Sequence, residues 1–156
     1  MANFLSKMLG TGKKNDVPES HKPSLSFPIG EGWDDIEVSG EQYYREGIEK
    51  VFRSLGLTQG GVTMQTAFLV PEPKNKYDRN AVRVMICGEL VGYVPQEASA
   101  LVAKACRSVG AGNSATVLSR VWARNDDNIW RSRVILSFSG ASENEKDYSI
   151  EDEESD

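Results

Sequence analysis

The chain has 156 residues, enough for one domain with a modest core. Its apolar content of 39% is ordinary, and no run approaches the ~18 apolar residues needed to span a bilayer. The formal charge of −5 is unevenly spread: residues 143–156 hold eight acids against Lys146, and residues 1–22 hold four lysines against Asp16 and Glu19, which leaves 23–142 neutral. A neutral middle neither demands nor excludes nucleic acid, so any such binding has to come from a local patch.

Residues 1–30 are rich in Lys, Ser, Pro and Gly and read as a disordered tail, Phe4, Leu5, Met8 and Leu9 included. The N-terminus lacks the order of a secretory signal. Trp33, Ile36 and Val38 alternate with polar residues and predict a first strand. Ser39 and Gln42 have capping-box spacing, so a helix is expected from there, carrying Tyr44, Ile48, Val51, Phe52 and Leu55 on one face and closing at Gly56. Val62 to Val70 is β-rich in composition, and Pro71, which has no N–H to give a ladder, ends it. A polar loop follows. Ala81–Cys87 and Leu90–Val91 flank Gly88-Glu89, a hairpin signal with a type II′ turn. Pro95 opens a second helix with an apolar stripe of Ala98, Leu101, Val102, Ala105, Cys106 and Val109, ended by Gly110–Gly112. Two further strands, 114–124 and 128–138, surround a longer loop at Asn125-Asp126-Asp127. From residue 142 the chain is an acidic tail, expected to be disordered.

The order is β-α-β-β-β-α-β-β, mainly β with two helices in the α+β class. It fits a small six-stranded barrel of OB-like or SH3-like type over residues 31–141.

Catalysis finds little support. His21 is the one histidine and lies in the N-terminal tail, so no Ser/His/Asp or Cys/His set can be built in the fold. Asp34-Asp35 and Asp126-Asp127 sit at strand ends or turns, where acids usually meet solvent. Gly10-x-Gly12-Lys13 is too short for a phosphate loop. Cys87 and Cys106 read as buried free thiols, too few for a disulfide framework or a metal site. The expectation is a non-enzyme without cofactor or metal, monomeric, in a reducing cytoplasmic setting away from membranes.

The polar loop is the informative stretch. Glu72-Pro73-x-Asn75-x-Tyr77-Asp78-x-Asn80-Ala81-Val82-x-Val84, followed by Val91-Gly92-Tyr93-Val94-Pro95, closely resembles the signature of the HIRAN domain, the N-terminal module of fork-remodelling DNA translocases such as helicase-like transcription factor. The resemblance covers about Trp33 to Gly140. It implies an oligonucleotide-binding type of barrel, a role in DNA repair and recognition of single-stranded DNA, 3′ ends included. It places the strand end against Tyr43, Tyr77 and Asp78, the last accepting a hydrogen bond from a terminal 3′-hydroxyl that a continuing strand does not offer. A DNA-processing protein is a further expected partner.

Around these residues, Gln42, Asn75, Lys76, Tyr93 and Gln96 complete the expected DNA-binding set, with Trp130 as a further stacking candidate. Stacking is worth about 1–3 kcal/mol per base. The family's DNA-binding members carry an arginine where this chain has Gln42, and His and Lys where it has Tyr93 and Gln96. Each missing cation lowers the salt dependence by about one phosphate contact. Arg45, Lys74, Lys76, Arg79, Arg131 and Arg133 are the candidates to replace them.

Plainer readings compete. Asn75, Asp78 and Asn80 are residue types that cap turns with their own backbone. Tyr77 and Trp130 fit core aromatics as well as stacking platforms. The acidic tail reads first as a solubilising segment and second as a competitor for phosphate in a basic groove. The principal alternative function is a protein-interaction module using the same groove for a peptide or an acidic partner segment.

Overall fold

The computed structural model describes residues 33–109 and 114–138. Both tails, His21, and the Gly110–Gly112 helix stop lie outside them. Among the described residues, six strands and two helices run in the expected order: β1 (Ile36–Glu37), α1 (Arg45–Ser54), β2 (Gly60–Pro71), β3 (Val82–Ile86), β4 (Glu89–Tyr93), α2 (Gln96–Val109), β5 (Ala115–Asp126) and β6 (Ile129–Leu136). A 3₁₀ turn, Glu41–Tyr43, lies between β1 and α1.

All pairings are antiparallel, in the order β1-β6-β5-β2-β3-β4. The sheet curls because its two edges meet. Just past β1, the Val38 amide donates to Val134 O (2.9 Å), while Ser39 and Tyr93 exchange both backbone hydrogen bonds (2.9 and 3.0 Å). One short segment thus carries the edge strand β1, which pairs with β6, across to β4 on the other edge. Gly92 permits it, since a Cβ there would collide with Val38 Cγ1 and lie 2.8 Å from Ser39 O. Gly47 plays the same part for α1, whose backbone rests on Leu90 O at a distance no Cβ could share.

Inside the curl, β2, β3, β5 and β6 alternate inward apolar residues with outward ones, the period a half-buried strand requires. Ala67, Leu69, Val82, Val84, Ile86, Val117, Val121, Val134 and Leu136 form the core with Ile48, Val51 and Phe52 of α1 and Val102, Ala103 and Cys106 of α2. Helix α1 packs against β4 and β6, over the seam where the edges meet, and α2 packs against β2 and β3.

Several local expectations are corrected. Ser39 does not cap a helix: its backbone is committed to β4 and its hydroxyl donates to Tyr93 O (3.3 Å), so α1 starts only at Arg45, after a turn through left-handed Gly40. The first hairpin turns on Cys87-Gly88, with Ile86 paired to Glu89. Both turn residues have positive φ (51° and 79°), which is a type I′ turn, not the expected II′ turn at Gly88-Glu89. The turn leaves Cys87 exposed, whereas Cys106 is buried as expected. The second hairpin is also tighter than expected: Asp126 pairs with Ile129 across Asp127-Asn128, again both with positive φ. Leu101, expected in the apolar stripe of α2, is exposed, and Ala103 takes an inward place.

Candidate nucleic-acid interface

Asn75 builds the loop between β2 and β3. Its Oδ1 accepts the backbone N–H groups of Tyr77 (2.8 Å) and Asp78 (3.0 Å), and its Nδ2 donates to Glu72 Oε1 (3.0 Å). This is the Asx-type capping that lets a short polar loop keep one shape without ladder partners. Its consequence is that the Tyr77 side chain is turned out, 89% exposed. Lys76 Nζ lies 5.9 Å from the centre of that ring.

Asp78 is half-buried. Its Oδ1 accepts the Asn80 N–H (2.8 Å), so the capping reading holds for this oxygen. Its Oδ2 faces the Ser99 hydroxyl (3.1 Å), which lies equally close to Gln96 O in the first turn of α2. The single Ser99 proton has two acceptors to choose between. A carboxylate offers about four lone-pair positions, so two hydrogen bonds leave Asp78 room to accept another.

Glu72, at the end of the β2 region, ties the loop to the barrel. Beside the Asn75 amide it accepts the Tyr93 hydroxyl on Oε1 (3.0 Å), and its Oε2 forms an ion pair with the Arg83 guanidinium, 2.9 Å from Nε. Burial, the hydrogen bond to Glu72 and that carboxylate's charge push the Tyr93 hydroxyl up to about 12, so it stays a donor at neutral pH. The Tyr93 ring lies against Tyr44, 5.8 Å between centres. Tyr44 follows Tyr43, which is 79% exposed at the end of the 3₁₀ turn. A contact chain therefore runs from Tyr44 through Tyr93, Glu72 and Asn75 to the backbone of Tyr77 and Asp78, and on through Ser99 to α2.

Of the predicted residues, Asn75, Asp78 and Tyr93 belong to this chain. Tyr43, Lys76 and Tyr77 are displayed beside it, and Gln42 is exposed in the middle of the 3₁₀ turn and Gln96 at the start of α2. Trp130 is not a stacking platform. It is 2% exposed, its ring is 5.9 Å from that of Phe52, and the Arg53 guanidinium lies at the same distance. Arg133 holds Glu37 through two nitrogens (3.1 and 3.3 Å) and Arg131 lies 3.4 Å from Asp126, both on the outer sheet face. Among the described residues, no carboxylate pairs with Arg45, Lys74, Lys76 or Arg79, all exposed.

Glu72, Arg83 and Ser99 were missed as site residues. Glu72 had a signal, since it opens the loop motif. Ser99 had a weaker one, a hydroxyl on the apolar side of α2.

A family model, the HIRAN domain, matches residues 35–141, most of the chain and all of the barrel described above. The chain belongs to the HIRAN family. That family comprises DNA-binding modules, not catalytic domains, so nucleic-acid binding is the class of activity to which this barrel belongs. No curated protein and no solved structure matched the chain. Within the HIRAN barrel, the loop that carries the family motif and the Tyr43–Tyr44 segment are joined by the Tyr93–Glu72–Asn75 chain.

Proposed function

We propose that this HIRAN domain binds the free 3′ end of single-stranded DNA, with Tyr43 and Tyr77 as stacking surfaces and Asp78 accepting the terminal 3′-hydroxyl. The observation that carries this reading is the state of the two tyrosines: both rings stand in solvent on backbone held by hydrogen bonds, where neither serves the core. Exposed aromatic faces on a rigid mount match what unstacked bases require. Lys74, Lys76 and Arg79 flank Tyr77, and Arg45 follows the Tyr43 segment, so phosphates would meet cations on both sides. Without the arginine, histidine and lysine of other members, the salt dependence is expected to be shallow.

Oligonucleotides ending in a 3′-hydroxyl and in a 3′-phosphate, titrated by fluorescence anisotropy, test the reading. The hydroxyl end should bind at least several-fold more tightly, and Asp78→Ala should erase that preference. Equal binding of both ends would leave a general single-strand binder. Binding of neither would move the function to the peptide-interaction alternative.

A further inference from the structure

We propose that a strand whose 3′ end sits at Tyr77 and Asp78 continues along the exposed side of α2, where Lys104 and Arg107 take its phosphates. This rests on the end-binding reading and gives it a direction and a footprint.

The motif loop and α2 are joined where the strand end is placed. Ser99, 2% exposed in the first turns of α2, lies 3.1 Å from Asp78 Oδ2, so the carboxylate assigned to the 3′-hydroxyl stands against the start of the helix. Ser99, Val102, Ala103 and Cys106 form the buried side of α2. A second stripe, Gln96, Ala100, Lys104 and Arg107, follows the spacing of one helix face and is exposed at every position. At 1.5 Å per residue, Lys104 lies about 7.5 Å and Arg107 about 12 Å along the axis from Ser99. With phosphates about 3.4 Å apart along one strand, that reach is about two to four nucleotides from the end.

The charge pattern of the two helices differs, and the difference points to a ligand. In α1, Lys50 and Arg53 are each held by a glutamate four residues earlier, Glu46 at 3.3 Å and Glu49 at 2.7 Å. In α2 the positions four before Lys104 and Arg107 are Ala100 and Ala103, which offer no charge. Among the described residues, no carboxylate pairs with either cation. Glu97, the single acid of α2, is in the first turn, about 10 Å along the axis from Lys104. Leu101, 60% exposed one turn before Lys104, adds an apolar contact for a sugar or base. Phosphates on this stripe are held by charge alone, so the binding is independent of sequence.

The test uses an oligothymidine of about ten nucleotides with a free 3′-hydroxyl, titrated by anisotropy over a salt series. Wild type is compared with Lys104→Gln/Arg107→Gln on α2 and with Lys50→Gln/Arg53→Gln on α1, which removes the same charge elsewhere. Each phosphate contact of a single strand contributes about 0.7 to the salt slope. The α2 variant should lower the slope by about 1.4 and bind roughly tenfold more weakly at low salt, while keeping the preference for a 3′-hydroxyl over a 3′-phosphate. The α1 variant should keep the wild-type slope. An unchanged slope in the α2 variant would overturn the proposal, and so would an equal loss in both variants, which is a net-charge effect. Arg107 also lies in the last turn, where a cation complements the helix dipole. If that were its only role, the α2 variant would show a lower urea midpoint and an unaltered slope. Failure of the end-binding reading shows separately, as equal affinity of wild type for the two kinds of end, with the slopes still comparable. Absence of any single-strand binding by wild type would overturn both.

Discussion

Glu41 shows how the barrel's closure sets the chemistry of a single residue. It enters the 3₁₀ turn partly buried, beside Glu37, and burial chiefly, with Glu37 adding, pushes its carboxyl up to about 7 against the partial relief of its own backbone N–H and Arg133. In the unfolded chain it titrates near 4.5. Between these values the folded state binds the extra proton, so stability from this group is greatest at pH 4.5 and below and declines as pH rises towards 7. Solvent screening at this half-open position holds the effect to the order of 1 kcal/mol. Glu41→Gln should flatten that decline, read as the urea midpoint against pH from 4.5 to 7.5; a slope equal to wild type would mean the charged carboxylate is not penalised. At this scale the sequence was a partial guide. It singled out Tyr43, Tyr77 and Asp78, but it did not tell which way Trp130 faces; the strand register, which puts Trp130 in phase with the buried Val134 and Leu136 and near Phe52, turns it inward.

At the scale of elements, order and number were legible because they rest on local periodicity. Strands alternate every second residue and helices repeat an apolar face. The turns were less legible. Both hairpins use two-residue type I′ loops, Cys87-Gly88 and Asp127-Asn128, and in each case an expected strand boundary moved to match the partner's register. Cys87 is the poorer choice of the two, since a left-handed backbone at the first turn position favours Asn or Asp. Cys87→Asn should therefore stabilise the fold by about 0.5 kcal/mol, seen as a higher midpoint at unchanged m-value. A lower midpoint would show that the long Sγ contact to Gln65 (3.6 Å) contributes more than the turn geometry. The missed cap at Ser39 has the same origin: a local capping signal yields when the backbone is needed by a distant strand.

For the whole molecule, closure is the decisive event. Val38 and Ser39 join β6 to β4, α1 covers that seam, and the join brings Tyr44 against Tyr93. Gly92→Ala would put a methyl group into Val38 and close to Ser39 O, and should cost about 1–3 kcal/mol or more. Because Tyr93 is the next residue, the variant should also lose order in the Tyr44–Tyr93–Glu72 contact chain. Near-ultraviolet dichroism beside a urea titration would report both effects; an unchanged midpoint would mean that the closing bridge carries little of the stability.

By itself the sequence determined the elements and the family motif, since each is written in short-range spacing that survives without a fold, whereas the exposure of Tyr77 was settled only by the folded loop. The tertiary structure alone decided that Glu72 ties Asn75, Arg83 and Tyr93 together and that Ser99 reaches the loop residue Asp78 from α2. Those arrangements join residues up to tens of positions apart, and the antiparallel register and sheet closure that bring them together leave no local trace in composition.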